Sequence, residues 1–265
     1  MKQSKLNGIL KNGYLLLVFL FLYLPIVVIV VFSFNTSRLN ILFEGFTTQW
    51  YASVFQNTIL MESLENSLIA GVASTIIATV IGTLGALAMH KYQFPGKSLL
   101  DKVVYIPMVI PEVVLGIALL SVFSLIGMQL SLGTLVLGHV TFCIPFVLLN
   151  VRARLAGLDS SMEEAALDLG ATPIKAFFLV TLPSISPAIA SGAMLSFTLS
   201  LDDVIVSFFT TGPDSTTFPL KIFSMVKTGV TPEVNALTTM IMVVLVLIIG
   251  VNALFQIRKI KKNLQ

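Results

Sequence analysis

Six long apolar segments, at about 14–34, 67–89, 103–126, 131–150, 184–210 and 235–257, divide the chain, and polar residues gather between them. Each has roughly the 20 residues that a helix needs to cross a hydrocarbon layer about 30 Å thick. A helix satisfies its own backbone hydrogen bonds, so the pattern predicts an all-α membrane protein with six transmembrane helices. The fourth segment is the shortest, and the turn before it, Gly127 to Gly133, carries no charge, which leaves the boundary between segments three and four loosely marked. The first segment follows Lys2, Lys5 and Lys11 as a secretory signal would. Its apolar run exceeds the ~7–15 residues of such signals and no small-residue cleavage site follows, so it reads as an uncleaved anchor.

Composition agrees with this reading. Of 265 residues 56% are hydrophobic and 11% charged, less than half the roughly 25% charge of an ordinary soluble domain. So little polar surface could not cover a soluble fold, and the mean hydropathy of +0.96 points the same way. Cys143 stands alone in an apolar run, so no disulfide framework exists and the residue reads as a small buried side chain. The net charge of +3 does not argue for nucleic acid; in a membrane chain the placement of charges matters more than their sum.

With the N-terminus inside, 13 basic residues fall on inner segments, among them Lys91, Lys97, Lys102, Arg152, Arg154, Lys175 and Arg258. Only Arg38, Lys221 and Lys227 fall outside, which accounts for all 16. Basic residues resist passage to the outer side, so both termini and the segment between spans four and five are expected in the cytoplasm. The chain shows no repeat at a period of 20 to 50 residues and no low-complexity linker, so residues 1–265 are expected to form a single domain.

The inner segment Glu163 to Pro183, EEAALDLGATPIKAFFLVTLP, interrupts the apolar pattern with three carboxylates, a glycine and two prolines. Ser160 with Glu163, or Ser161 with Glu164, has capping-box spacing, and Gly170 suits the left-handed position that ends a helix. Thr172 can cap a second helix with Pro173 at its first position, and Pro183 and Pro187 mark the turn into the fifth span. Met162, Ala165, Ala166 and Leu169 recur every three or four residues and share one helix face. That face serves either the protein's own base or a docking partner.

The order Glu164-Ala165-Ala166, three residues, Gly170, nine residues, Val180, one residue, Leu182-Pro183 closely resembles the EAA loop of ABC importer permeases. The family usually carries isoleucine where Val180 stands. The resemblance implies the type I ABC importer permease fold, with a cytoplasmic coupling helix in the loop 159–183. It carries ATPase coupling to Glu164, Ala165, Ala166 and Gly170. It also implies partners: a second permease subunit, two ATPase subunits that bind ATP and magnesium, and an extracytoplasmic substrate-binding protein. The setting would be the bacterial inner membrane with its lipid.

The run from Ser200 to Thr239 is similar to permeases of the spermidine/putrescine family, which implies a polyamine cargo. Permeases for iron, thiamine or phosphonates share the architecture. A self-sufficient secondary transporter, with a membrane carboxylate as ion relay, is the alternative from another class.

No energy source is legible within the chain. Pro95 to Ser98 ends like a P-loop, but the earlier glycine would fall at position 91, which is Lys91. No HExxH, paired-cysteine or Gly-x-Ser-x-Gly pattern suggests catalysis or a metal. His90, at an expected helix end, reads as interfacial, and His139, alone in span four, reads as packed and bonded to a neighbouring helix or as lining a cavity.

The ionisable residues within spans are Glu112, Asp202 and Asp203, which at bilayer depth face protein or a watery path. Lys221 and Lys227 are candidate counter-charges for Asp203. A polyamine is a chain of ammonium groups joined by methylenes, and carboxylates with aromatic faces would suit it. Asp202, Asp203 and Glu112, with Phe208, Phe209, Tyr105 and Phe197, are the candidate lining. Pro107 and Pro111 could open span three and free its carbonyls. A conduit must release what it binds, so a weak site is expected. Trp50, Tyr51 and the 211–234 loop are candidates by location for contact with a binding protein, with membrane-interface anchoring the alternative for the two aromatics.

Overall fold

The computed structural model describes residues 2–38, 41–159, 161–225 and 229–263, with side chains outside 2–10, 248–249 and 251–263. Ser160 and Lys227 lie outside the described residues. In chain order the helices are α1 (Lys2–Phe32), α2 (Gln49–Val54), α3 (Thr58–Lys91), α4 (Lys97–Val103), α5 (Ile106–Val109), α6 (Glu112–Leu125) and α7 (Leu132–Ala156). Then come α8 (Ser161–Asp168), α9 (Pro173–Ala176), a π-helical turn (Phe177–Thr181), α10 (Leu182–Asp202), α11 (Ile205–Thr210), α12 (Phe218–Met225) and α13 (Pro232–Asn263). Among the described residues the extended structure is an isolated bridge between Asn35 and Phe46.

Four helical stretches among the described residues are long and apolar enough to cross a membrane: Lys11–Phe32, Thr58–Lys91, Leu132–Ala156 and Pro173–Asp202. The expected third span divides. Lys97–Val109 and Glu112–Leu125 meet at a bend of 110°. Pro111 explains the break, because a proline disfavours helical dihedrals in the residue before it, and Ile110 is extended at φ −69°, ψ 136°. The expected fifth span, to residue 210, stops at Asp202, where Asp203 turns extended and α11 begins separately. Pro183 sits in the first turn of α10, whereas Pro187 lies inside that helix rather than before it. The expected sixth span falls in α13, whose described apolar part is Pro232–Leu247.

The described residues form two compact units, Met1–Met61 with Ser224–Gln265, and Glu62–Phe223. In the first, the Trp50 ring is buried, and its Nε1–H donates to the Asn35 carbonyl at 2.6 Å. Asn35 in turn donates from Nδ2 to the Leu42 carbonyl and accepts from the Glu44 N–H, closing the loop after α1. Tyr51 shares a hydrogen bond with Ser33 and tilts against Phe34. These aromatics therefore pin a loop within their own unit, which the sequence reading of Trp50 and Tyr51 by location did not foresee.

In the second unit α10 lies along α7. Val147, Leu148, Val151 and Leu155 of α7 pack with Ala86 and Met89 of α3 and Ile185 of α10 in one buried cluster. Close approach depends on missing side chains. A Cβ on Gly192 would stand 3.0 Å from Val147 Cα, and one on Gly82 2.8 Å from Val147 Cβ. Small residues at helix crossings let backbones approach where lipid supplies no hydrophobic drive. Cys143 is buried in this unit, as the sequence suggests.

Candidate functional site

Two places in the second unit gather the residues singled out by the sequence. The first is the turn from α8 to α10. Helix α8 begins at Ser161, whose N–H is held by Asp159 Oδ1 at 3.0 Å. Ser161 is thus inside the helix, and the cap on its N–H is an aspartate that the capping-box pattern overlooked. That N–H holds the exposed Asp159 carboxyl below the usual carboxylate range.

At its other end the Gly170 N–H donates to the Leu167 carbonyl and the Ala171 N–H to the Ala166 carbonyl, with Gly170 at φ +87°. This is the six-residue Schellman closure, which needs a left-handed residue at that position. Thr172 then caps α9, its Oγ1 accepting from the Lys175 N–H, with Pro173 first in the helix.

Glu163 fastens α8 to the bundle. Its carboxylate accepts from Lys91 Nζ at 3.1 Å, at the end of α3, and from Thr181 Oγ1 at 2.8 Å in the π turn. The Thr181 hydroxyl first, and Lys91 second, hold the Glu163 carboxyl below its ordinary value. The Arg152 guanidinium of α7 pairs with Asp101 of α4. Glu164, Ala165 and Gly170 are exposed, as are Met162 at 57% and Leu169 at 90%. Between α8–α9 and the ends of α3 and α7 lies a cavity of about 670 Å³, bordered by His90, Glu163, Glu164 and Phe177 among others.

The second place is a cavity of about 380 Å³ at the two helix breaks. Glu112, Asp202 and Asp203 all line it, with Phe142 and Phe146 of α7 and Pro107 of α5. Three carboxylates distant in sequence therefore share one space. Tyr105 and Phe208 are not among its lining residues; Phe208 is exposed and meets Phe209 edge to face. Phe209 packs over Gly116, where a Cβ would overlap its ring. Phe197 packs against Gly71. Phe142 and Phe146 were missed because aromatics four residues apart in an apolar span read as packing.

The three carboxylates differ in surroundings. Asp202 and Glu112 are exposed, and both line the cavity. The Asp203 side chain is 6% exposed and faces His139 Nε2 at 3.4 Å. His139 is fully buried and bonds to Ser200 and Ser207, the packed reading of that residue. The side chain facing Asp203 is this imidazole, which stood outside the lysine pairing considered from sequence.

Residues 78–260, which include both the α8–α10 turn and the carboxylate cavity, match the family described as binding-protein-dependent transport system inner membrane component. The chain belongs to this family. The permease is 44% identical over 255 residues to the spermidine/putrescine transport system permease protein PotC of Escherichia coli K12, covering 96% of this chain and 97% of the relative. It is 41% identical over 235 residues to the putrescine transport system permease protein PotI of the same organism, covering 86% and 84%.

Among solved structures, the permease resembles a chain of a bacterial ABC transporter involved in the import of the acidic polysaccharide alginate. The TM-score is 0.74 at 17% identity, over 96% of this chain and 97% of that one. That likeness establishes the fold, that of a type I ABC importer permease. The expectation drawn from the EAA-like loop is borne out at the level of family and fold.

Proposed function

We propose that this permease forms half of the translocation path of an ATP-driven polyamine importer and couples to ATPase subunits through α8. The reading rests on one observation above others. In a chain 44% identical to PotC, two exposed carboxylates, Asp202 and Glu112, share a cavity with the rings of Phe142 and Phe146. Carboxylates meet ammonium groups and phenyl faces meet the methylenes and charge between them. An anionic cargo would be repelled by the same lining.

Energy comes from outside the chain in this reading. The exposed Met162–Leu169 face of α8, with Glu164, Ala165, Ala166 and Gly170, docks on one of two ATPase subunits that hold ATP and magnesium. A second permease completes the path, an extracytoplasmic binding protein delivers the cargo, and both termini face the cytoplasm. The Glu163 contacts to Lys91 and Thr181 tie a movement of α8 to α3 and to the π turn that leads into α10. Coupling then needs only two arrangements of a packed bundle.

The test is uptake of labelled spermidine by proteoliposomes holding the permease pair and ATPase, with the binding protein outside and ATP inside. Uptake is expected to require ATP, to be competed by putrescine and to be indifferent to sulfate. Uptake that persists without the ATPase, or is competed by sulfate and not putrescine, overturns the proposal.

A further inference from the structure

The cavity carboxylates are not equivalent, and their hydrogen bonds divide them. Asp203 Oδ2 accepts from the Ser207 N–H at 2.6 Å and the Ser207 hydroxyl at 2.7 Å, while Oδ1 accepts from the Val206 N–H at 3.2 Å. The side chain thus caps the first amides of α11. A capping residue takes non-helical dihedrals, and Asp203, at φ −65° and ψ 130°, ends α10 in doing so.

Behind it, the Ser207 hydroxyl, already donating to Asp203, can accept from His139 Nε2–H at 3.0 Å. His139 Nδ1 shares a hydrogen bond with Ser200 Oγ at 2.6 Å, and Ser200 shares one with Ser74 Oγ at 3.1 Å, while the Ser74 hydroxyl also reaches the Gly71 carbonyl at 3.3 Å. Ser74, His139, Ser200 and Ser207 are all buried, and they join α3, α7, α10 and α11.

Asp202, one residue earlier, has a different setting. It ends α10 beside carbonyls that lack intrahelical partners and carry the negative end of the helix dipole. A cation is welcome there. Glu112 faces the same cavity across the other break.

Resting on the reading of this cavity as a cation path, we propose that Asp203 and His139 are positioning residues that do not touch the cargo. Together they form a buried strut that fixes the α10–α11 break and so holds Asp202 opposite Glu112, the two carboxylates that the cation meets. The Asp203 carboxylate is committed to two amides and a hydroxyl of α11, and its side chain is 6% exposed, whereas Asp202 is exposed.

The test uses the assembled transporter with saturating loaded binding protein, and reads the ratio of spermidine to putrescine turnover. Asp202→Asn and Glu112→Gln are expected to shift that ratio at least threefold, because the triamine places more charge against the pair. His139→Asn and Ser207→Ala, which add no bulk, are expected to shift it at least twofold in the same direction. In an Asp202→Asn background they should add nothing, since they act through Asp202. Amide exchange at Val206 and Ser207 should quicken at least tenfold in Asp203→Ala and measurably in Ser207→Ala.

Unchanged exchange in Asp203→Ala, or wild-type ratios in both His139→Asn and Ser207→Ala, overturns the strut. So does an Asp203→Asn shift that adds in full to that of Asp202→Asn, which would make Asp203 a cargo ligand. If exchange responds as expected while Asp202→Asn and Glu112→Gln both keep the wild-type ratio, the cation-path reading fails instead.

Discussion

Gly170 offers the sharpest test of the coupling turn, because its requirement is purely one of backbone. Its φ is +87°, and a Cβ built there meets nothing within 4 Å, so no neighbour resists a side chain. The whole cost of substitution is then the left-handed conformation, about 1–2 kcal/mol for a residue with a Cβ. Asn, which visits this region, should sit below that range, Ala near its foot, and β-branched Val at or above its top. At about 1.4 kcal/mol per tenfold, the closed turn becomes roughly 5- to 30-fold less populated in Ala and Val.

Proline is worse on two counts: its φ is locked near −65°, and it lacks the N–H that bonds to Leu167. ATP-driven spermidine uptake by the reconstituted transporter, normalised to assembled complex, should therefore fall in the order Asn, Ala, Val, Pro. The docking affinity of the ATPase should fall in the same order. A Gly170→Val transporter with wild-type uptake and docking would refute the reasoning.

Other predictions follow from the packing and the Glu163 contacts. Gly192→Val places a Cβ 3.0 Å from Val147 Cα, and overpacking of this kind costs about 1–3 kcal/mol. The thermal midpoint of the purified complex should drop, and an unchanged midpoint would contradict the close α7–α10 contact. The folded-state carboxyl of Glu163 lies below its ordinary 4.5. Its contribution is therefore present above about pH 4.5 and lost as pH falls through the folded value. Amide protection of α8, corrected for intrinsic exchange, should weaken on acidification in the wild type and weaken less in Glu163→Gln, where the Asp159 cap still titrates; equal profiles would count against the fastening. The Lys91 side chain is 59% exposed, so this ion pair is worth only about 0–1 kcal/mol and should weaken further in high salt.

Much of the helical plan was legible because apolar length is a strong signal. The segments near 14–34, 67–89 and 131–150 coincide with long helices, and α3 and α7 merely extend them. The Gly170, Thr172 and Pro173 turn was legible because each residue has one local role there. The breaks were harder. Pro107 and Pro111 suggested an opened helix, but the 110° fold-back depends on how α5 and α6 pack.

Asp202 and Asp203 look alike in sequence, and only the position of Ser207 and His139 separates a capped carboxylate from an exposed one. Phe142 and Phe146 belong to the cavity by virtue of tertiary approach, which periodicity does not encode. Trp50 could be placed only by location because its partner, the Asn35 carbonyl, lies 15 residues away.

In the proposed path Asp202 and Glu112 meet the cation in one cavity. At about 4 Å an ammonium and a carboxylate attract by about 1 kcal/mol in water and about 4 kcal/mol at an effective dielectric near 20. The most direct measurement is spermidine turnover by reconstituted transporters carrying Asp202→Asn together with Glu112→Gln, with complex assembly measured in parallel. Turnover is expected to fall at least tenfold with assembly intact. Wild-type turnover in the fully assembled double variant would contradict it.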